Sequence, residues 1–472
     1  MTSIHRSPIA GALLLLLLAP SVGVAGGAEL PPGGSEQLTQ RIADMLGRAG
    51  GLTADVVARR ASATSYDVAA RKADVDAAVA ALNQSIVGFV PRVSGLVRYQ
   101  RLSHVDGLRF GSFTIEFPDN ATTVQASLTV PISDYVFRLA QNYAAARHTR
   151  QSAELQQQAA ELKAATDAKV LYYTWARARL QVLVAEQALA QARGHLVDVQ
   201  HQFEAGAVSR ADVLRVESQE ASSELLVEKA RNLQSVSEEQ LRVAMHDSGD
   251  AAAYQIGEDL YAPLDTALAN DKPNDLYAEA VGSRLEVRAF TESRDAVRKQ
   301  SSAARAGYYP VIAAIGDVVY ANPNQRIFPP RDQFDFTWDV GVQASWSPND
   351  VATADAASKN VAARARTVDA QKMQFEDGLR NELMMTHATL RETLVALSTT
   401  QRGLKAAEES YRVRRELFVN GRATSVELTD AETDLTRTRF DAINARIDLR
   451  IARVRLQHAL GRDVTDAAKK NL

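Results

Sequence analysis

The chain has 472 residues, with 54 Lys and Arg against 57 Asp and Glu and a formal net charge of -3. It lacks the surplus of positive charge that binding to a phosphate backbone requires, which argues against nucleic acid as a main partner. A hydrophobic fraction of 46% excludes a largely disordered chain, and the absence of cysteine excludes disulfides, a thiol nucleophile and lipid attachment at an N-terminal cysteine.

Residues 1–28 have the pattern of a secretory signal peptide. A positive start is followed by an apolar segment at 9–19 and by small residues that predict cleavage after Ala25 or Ala28. The alternative interpretation is an N-terminal membrane anchor, but a transmembrane helix needs about 20 apolar residues and this segment is much shorter. We therefore expect removal of the segment on export, with residues 29–52 forming an N-terminal extension.

Two long stretches without proline predict the longest helices. Proline ends or kinks a helix because it lacks a donor and clashes with the preceding turn. No proline occurs between Pro131 and Pro263 or after Pro348, and in these windows Leu, Ala and Val recur at steps of three and four residues. We expect helices at 133–200 and 350–418, each about 100 Å long, in a coiled coil or a tube of helices.

Each long helix leads into a similar break, FEAGAVSRADVL at 203–214 and FVNGRATSVEL at 418–428. The breaks align at one offset of 215 residues, which indicates an internal duplication. We expect the glycine to end the incoming helix in a left-handed conformation, and the Ser or Thr to form a capping box with the acidic residue that follows it. The aligned pairs are Phe203 and Phe418, Gly206 and Gly421, Ser209 and Thr424, Asp212 and Glu427, and Glu217 and Glu432. Each break is thus predicted to be a tight hairpin tip, followed by helices at 209–246 and 425–461.

The segments before the long helices change from helical to alternating periodicity. Apolar residues alternate with polar ones, most regularly from Phe334 to Ser347, and Leu96 interrupts the alternation in the first segment. Such alternation is typical of a strand with one apolar and one polar face. We predict strand pairs at 89–131 and 308–347, each preceded by a shorter helix.

The predicted strands suit a tilted crossing of the outer membrane, which takes about ten residues. Tyr99, Trp338 and Trp346 lie near strand ends, where interfacial aromatic anchors belong. The alternative is a soluble sandwich, but the strand pairs are about 200 residues apart and each is too small to fold alone. Four strands cannot close a transmembrane barrel, so we expect an oligomer, and three copies would supply twelve strands.

The duplicated strand pairs, the long helices that begin near proline, the two F-x-x-G-x-x-[ST]-x-x-[DE]-[VL] tips and SRLEVRA at 283–289 together resemble the TolC-like outer-membrane efflux protein family. The resemblance covers residues 53–461. It implies an α+β membrane protein and a homotrimer, in which a long-helix α-barrel in the periplasm is continuous with a transmembrane β-barrel in the outer membrane of a Gram-negative bacterium.

The resemblance also implies the organisation of the chain. The two internal repeats would be residues 53–246 and 282–461, with an equatorial linker at 247–281 and a C-terminal tail at 462–472. The segments PISDYVF and SPNDVAT at the starts of the long helices depart from the family, whose members usually carry Pro followed by an aliphatic residue, Phe and a Gly-rich turn. We expect the strand-to-helix geometry to differ there.

Members of this family pair with a periplasmic adaptor and an inner-membrane pump and provide a passive exit duct for efflux or type I secretion. The resemblance implies the same partners, together with outer-membrane lipid, for this chain. Drugs, metal ions, siderophores and secreted polypeptides are equally compatible with the sequence as cargo. A periplasmic coiled-coil adaptor or scaffold is the alternative function, but adaptors normally have one hairpin beside a small lipoyl-like domain, whereas this chain has two hairpins and two strand pairs.

The family places a periplasmic gate just beyond the second tip, at positions that match Glu427 and Asp430. Three copies would give two carboxylate rings, which repel each other and favour cations. The alternative interpretation is that acids are simply favoured in the first turn by the helix dipole. Asp212 matches an aspartate that pairs with a basic residue in the family, but that basic position is Ala423 here, so only Asp212 is carried over as a gate candidate. The residues expected to dock the adaptor are Phe203, Gly206, Ser209, Phe418, Gly421 and Thr424.

Enzyme motifs are missing from the sequence. It contains no Gly-rich phosphate loop, no G-x-S-x-G and no HExxH, so we expect no catalytic residues, no cofactor and no metal site. His195 and His201 would lie near opposite sides of one helix, and we expect separate surface histidines rather than a metal-binding pair.

Overall fold

The computed structural model describes residues 34–249 and 254–462. The predicted signal peptide, the start of the N-terminal extension and all but the first residue of the predicted C-terminal tail lie outside these residues. The first half of the chain contains α1 (Gly34–Met45), α2 (Ala54–Thr64), α3 (Tyr66–Val87), β1 (Arg92–Arg101), β2 (Leu108–Phe110), β3 (Phe113–Ile115), β4 (Asn120–Val130), α4 (Ile132–Asp134), α5 (Ala140–Glu204) and α6 (Arg210–Ala244). The second half contains α7 (Pro273–Ser283), α8 (Leu285–Ala304), β5 (Val311–Asn322), β6 (Asp335–Ser345), α9 (Pro348–Val419) and α10 (Ser425–Ala459).

Two long helices dominate the molecule. Helix α5 has 65 residues and α9 has 72, which correspond to about 98 Å and about 108 Å. Helices α3 and α6 pack along α5, and α8 and α10 pack along α9. Helix α5 also contacts α10, so the half of the molecule that ends at the hairpin tips is a row of four helices in the order α6, α5, α10, α9.

The first long helix starts close to the predicted residue 133 but contains an irregular turn. A π-helical turn at Tyr135–Leu139 joins α4, which begins at Ile132, to α5, which begins at Ala140. This turn begins in PISDYVF, the segment that departs from the family pattern. The Tyr135 hydroxyl donates to the Phe89 carbonyl at 3.0 Å, and Phe137 stacks on Tyr309 at 4.6 Å between ring centroids. These contacts tie the turn to the ends of the neighbouring elements.

The four long strands form one antiparallel sheet in the order β1, β4, β5, β6. The strand pair of each half therefore joins the other through β4 and β5, where Ala126 lies opposite Val318. The register places all the alternating apolar residues on one face, since Val318 in turn lies opposite Trp338. On the opposite face Gln125 Nε2 donates to Asp317 Oδ1 at 2.9 Å. The short hairpin of β2 and β3, inside the connection between β1 and β4, was not predicted from the sequence.

A buried aromatic cluster lies where α1, α2 and the segment after residue 254 meet the middle of α5. Tyr172 and Trp175 are fully buried there. The Tyr172 hydroxyl donates to the Leu52 carbonyl at 2.9 Å, and Leu52 forms a parallel bridge with Ile256. Burial raises the pKa of Tyr172 well above its usual range, as expected for a phenol that stays protonated. The described parts of the N-terminal extension and of the linker thus pack together against the middle of α5.

The motif SRLEVRA secures the end of α10. The Ser283 hydroxyl donates to the Leu460 carbonyl at 2.5 Å, and Arg284 Nη1 donates to the His458 carbonyl at 2.9 Å. Arg284 also pairs with Glu286 at 2.8 Å, so its buried charge is compensated. Among the residues that the structure describes, no helix combines the length and apolarity needed to cross a membrane.

Candidate functional site

The first hairpin tip connects α5 to α6 through a left-handed glycine and a capping box. Gly206 has a φ of +71°, and its amide donates to the Phe203 carbonyl at 2.9 Å. The Ser209 amide donates to Asp212 Oδ2 at 3.0 Å, while the Asp212 amide donates to Ser209 Oγ at 3.3 Å. These bonds satisfy donors that the helix start leaves open, so the predicted capping box is confirmed.

The second tip repeats this geometry between α9 and α10. Gly421 has a φ of +68°. The Thr424 amide donates to Glu427 Oε2 at 2.9 Å, and the Glu427 amide donates to Thr424 Oγ1 at 3.3 Å. The predictions of a left-handed glycine and a capping box are therefore confirmed at both tips.

The two capping carboxylates, one at each tip, have similar electrostatic environments. Hydrogen bonds from the Ser209 side chain and backbone lower the pKa of Asp212. Hydrogen bonds from the Thr424 backbone and side chain lower the pKa of Glu427, and the nearby Arg414 guanidinium, at 3.5 Å, adds to this effect. Glu427 is exposed and Asp212 is partly exposed, so both ionised carboxylates keep contact with water.

Of the candidate gate residues, Glu427 lies in the first turn of α10 and Asp430 in the second. Both side chains are exposed at the tip. The carboxylate of Glu427 completes the predicted capping box, but capping leaves its negative charge in place. Asp212 lies at the other tip of the same chain. The structure thus brings three carboxylates to one end of the molecule, with Glu427 and Asp430 on one helix.

The two tips pack against each other through a small apolar cluster. Its buried members are Val199, Val213, Val216, Phe418 and Leu428. Phe418 is only 2% exposed, whereas its repeat counterpart Phe203 is 39% exposed. The two residues align in the sequence but occupy different environments. Phe418 lies in the cluster between the two hairpins, and Phe203 lies outside it.

His195 corrects one of our sequence interpretations. We expected a separate surface histidine, but its side chain is buried between α5 and α10, and the residue is 3% exposed. Its Nδ1 lies 3.1 Å from Glu432 Oε2, its Nε2 lies 3.2 Å from Ser425 Oγ, and its ring meets Phe418 edge-on at 5.1 Å. Both ring nitrogens are hydrogen-bonded, which offsets the cost of burial. His201, by contrast, is exposed.

The other candidate surface is the apolar face of the sheet, at the end of the molecule opposite the tips. Tyr99 in β1, Trp338 in β6 and Trp346 just after β6 are all exposed. The Tyr99 hydroxyl donates to Asn120 Oδ1 at 3.0 Å. The same face exposes Phe336, Val340 and Val342, so the aromatic residues belong to a continuous apolar surface.

In the ranges 34–249 and 254–462, no cluster of three or more His, Cys, Asp or Glu side chains is arranged to hold a metal ion. The polar groups at the tips are helix caps and interhelical hydrogen bonds. The tips present charged side chains at one end of the molecule, and the sheet presents an apolar band at the other.

A family model described as "Outer membrane efflux protein" matches residues 57–245 and 276–462, which together make up most of the chain. The match is split at the linker between the two halves, in agreement with an internal duplication. A comparison with curated proteins finds no match.

Several solved structures share the fold. The Campylobacter jejuni CmeC outer membrane channel matches with a TM-score of 0.75 and 13% identity, over 88% of each chain. The outer membrane protein VceC from Vibrio cholerae matches with a TM-score of 0.73 and 16% identity, over 86% of this chain and 96% of its own. CusC, described in terms of transmembrane channel formation, matches with a TM-score of 0.72 and 16% identity, over 86% of this chain and 92% of its own.

Proposed function

This chain belongs to the outer membrane efflux protein family, and from that premise we propose that it is an outer-membrane channel-tunnel. It would passively conduct substrates from a periplasmic adaptor and an inner-membrane pump to the exterior of a Gram-negative cell. The observation that carries the proposal is the arrangement of the two candidate surfaces. An exposed apolar sheet lies at one end of helices about 100 Å long, and paired hairpin tips lie at the other.

The sheet supports closure by three copies. Its outer strands, β1 and β6, each have one unpaired edge within the described chain, and open edges are not tolerated in lipid. Because β1 and β6 run antiparallel to each other, β6 of one copy can pair with β1 of the next. Twelve strands would then form a barrel whose apolar face, with Tyr99, Trp338 and Trp346 near its rims, contacts the lipid.

The helices would continue this barrel as a tube through the periplasm. Each half of the chain contributes one long helix and two shorter ones laid along it, so three copies would give a wall of uniform thickness. The proposed repeats, 53–246 and 282–461, are supported by the two segments that match the family model. The duct needs no catalytic group, because the pump supplies the energy.

The tips are proposed to serve both docking and gating. The adaptor would contact the two turns built around Gly206 and Gly421, which expose Phe203 and neighbouring residues. Glu427 and Asp430 would form the gate near the tube axis, with Asp212 contributing from the first tip. Repulsion among these carboxylates would have to be offset by bound cations or hydrogen bonds.

The proposal is tested by fractionating cells that express the full chain. We expect an outer-membrane protein that migrates as a trimer in SDS without heating and as a monomer after boiling. A cognate pump should co-purify with it after cross-linking in cells. A soluble periplasmic species would contradict the proposal and favour the coiled-coil adaptor or scaffold, which would leave the exposed apolar sheet without a role.

A further inference from the structure

The two hairpin tips differ at the residue that precedes the left-handed glycine. The first tip has Ala205 before Gly206, whereas the second has Asn420 before Gly421, and this is the only asparagine–glycine pair in the chain. Asparagine is among the thermolabile residues, because its side-chain amide can react with the backbone nitrogen that follows it. Glycine hinders this reaction least, since it has no Cβ. The second tip therefore carries a reactive pair that the first tip lacks.

The pair is open to solvent in the folded chain. Asn420 is the first residue after α9, and both Asn420 and Gly421 are exposed. A Cβ added to Gly421 would meet no atom within 4 Å, so no other part of the described chain crowds this side of the turn. Water can thus reach the side-chain amide and the peptide bond that follows it.

We propose that Asn420 is a site of spontaneous deamidation. The Gly421 nitrogen attacks Cγ of Asn420, so that an N–Cγ bond forms and the bond from Cγ to the side-chain nitrogen breaks. That nitrogen leaves as ammonia and takes with it the proton of the Gly421 amide. Water then opens the resulting succinimide ring at one of its two carbonyl carbons, which gives aspartate or isoaspartate. The reaction consumes one water and needs no oxidant, reductant or enzyme.

The folded turn restrains this reaction. The Gly421 amide, which supplies the attacking nitrogen, donates to the Phe418 carbonyl at 2.9 Å. Asn420 Nδ2 donates to the Glu416 carbonyl at 2.7 Å, which holds the side chain back along α9 and away from Gly421. Both bonds must break before the ring can close. The rate of deamidation therefore follows the equilibrium between the closed and the locally opened turn.

Deamidation weakens the turn in which it occurs. The new carboxylate only accepts hydrogen bonds, so it cannot replace the bond that Asn420 donates to the Glu416 carbonyl. It also places a negative charge at the C-terminal end of α9, where the helix dipole is already negative. The first tip, with Ala205, stays unchanged. A consequence for adaptor docking would rest on the proposed function, but the modification itself does not.

The site is tested by peptide mapping of the purified full chain after incubation in warm, mildly alkaline buffer. Trypsin releases residues 416–422, with Asn420, and residues 440–446, in which Asn444 precedes alanine. We expect peptide 416–422 to be replaced over days by two acidic products, aspartate and isoaspartate, while peptide 440–446 keeps its amide. No conversion of 416–422, or conversion equal to that of 440–446, would overturn the proposal. Neither result depends on trimer formation or export, so the proposed function would stand.

The restraint is tested by removing one helix cap at a time. Thr424→Ala removes the cap beside Gly421 and should speed deamidation of Asn420 about fivefold, because a lost cap favours local opening. The matched control, Ser209→Ala, removes the equivalent cap at the first tip and should leave the rate unchanged. Wild-type chain unfolded in urea should react faster than either folded variant. Equal rates in the folded and the unfolded chain would overturn the restraint.

The effect of the product is tested with Asn420→Asp, and Asn420→Ala is the matched control. Both variants lose the hydrogen bond to the Glu416 carbonyl, but only the first adds the charge. We expect backbone amides of residues 416–424 to exchange faster in Asn420→Asp than in Asn420→Ala, and amides of the first tip to exchange equally in both. Exchange at 416–424 that is no faster in Asn420→Asp would overturn the inference that the new charge weakens the turn.

Discussion

Phe203 and Phe418 occupy the same position in two copies of one motif, yet Phe418 is buried against His195 of the other hairpin while Phe203 lies exposed. The difference arises because Phe418 packs into a cluster with residues of α5, α6 and α10, whereas Phe203 lies outside this cluster. The same residue type in two copies of one motif thus contributes differently to the stability of the protein.

Phe418→Ala should therefore destabilise the protein far more than Phe203→Ala. Removing a buried phenylalanine costs about 3–5 kcal/mol, whereas an exposed one costs a small fraction of that. The urea midpoint of the detergent-solubilised protein, followed by helical circular dichroism, measures the difference. Similar midpoints for the two variants would contradict the packing described for the tips.

A charged side chain on the apolar face of the sheet should reduce assembly of the protein in the membrane. Val342→Arg would place a guanidinium in lipid near the middle of the membrane and cost roughly 2–4 kcal/mol. Gln343→Arg is the matched control, because its neighbouring position faces the other side of the sheet. The yield of assembled trimer in the outer membrane should fall for the first variant only. Equal assembly of both would show that this face does not meet lipid.

The glycines of the tips should tolerate no side chain. Gly421→Val would force a β-branched residue into φ +68°, which costs at least about 1–2 kcal/mol and distorts the turn. We expect export to fall while trimer yield stays near normal. Gly194→Ala is the control, since a Cβ at that helical position meets open space and should leave export unchanged. Loss of the trimer in Gly421→Val would instead make this glycine a general folding element.

The capping carboxylates should make the tips sensitive to acid. Because folding lowers the pKa of Asp212 and Glu427, the stability that they add is present above their usual values of 3.8 and 4.5 and is lost as the pH falls through the lowered values. Asp212→Asn with Glu427→Gln should increase amide exchange at the tips at pH 7. The difference from the wild type should vanish in acid. A difference that persists below these pKa values would show that charge is not responsible.

The gate proposal predicts the ion selectivity of the channel. Glu427→Gln with Asp430→Asn removes both carboxylates with little change in size. In planar bilayers the wild type should be cation-selective, poorly conducting and blocked by divalent or trivalent cations from the periplasmic side. The double variant should lose most of that selectivity and block. Unchanged selectivity in a correctly assembled variant would mean that these acids serve only as helix-start residues and face solvent outside the tube.

The sequence alone determined the features that depend on neighbours along the chain. The long helices follow from their periodicity and from proline placement, and the strands follow from alternation. The two tips follow from Gly206 and Gly421 with their capping boxes, because those contacts span only a few residues. The family resemblance followed from the order and duplication of these local features, and the match to the family model agrees with it.

Only the tertiary structure decided which faces of these elements meet. His195 and Glu432 are 237 residues apart, and neither has a local signal that identifies the other as its partner. The sequence also did not show that the two strand pairs join through β4 and β5. Nor did it show that Trp175 is buried in the cluster at the middle of α5. Periodicity shows that a helix has an apolar face but not which helix covers it, because that choice depends on packing and desolvation summed over the whole molecule.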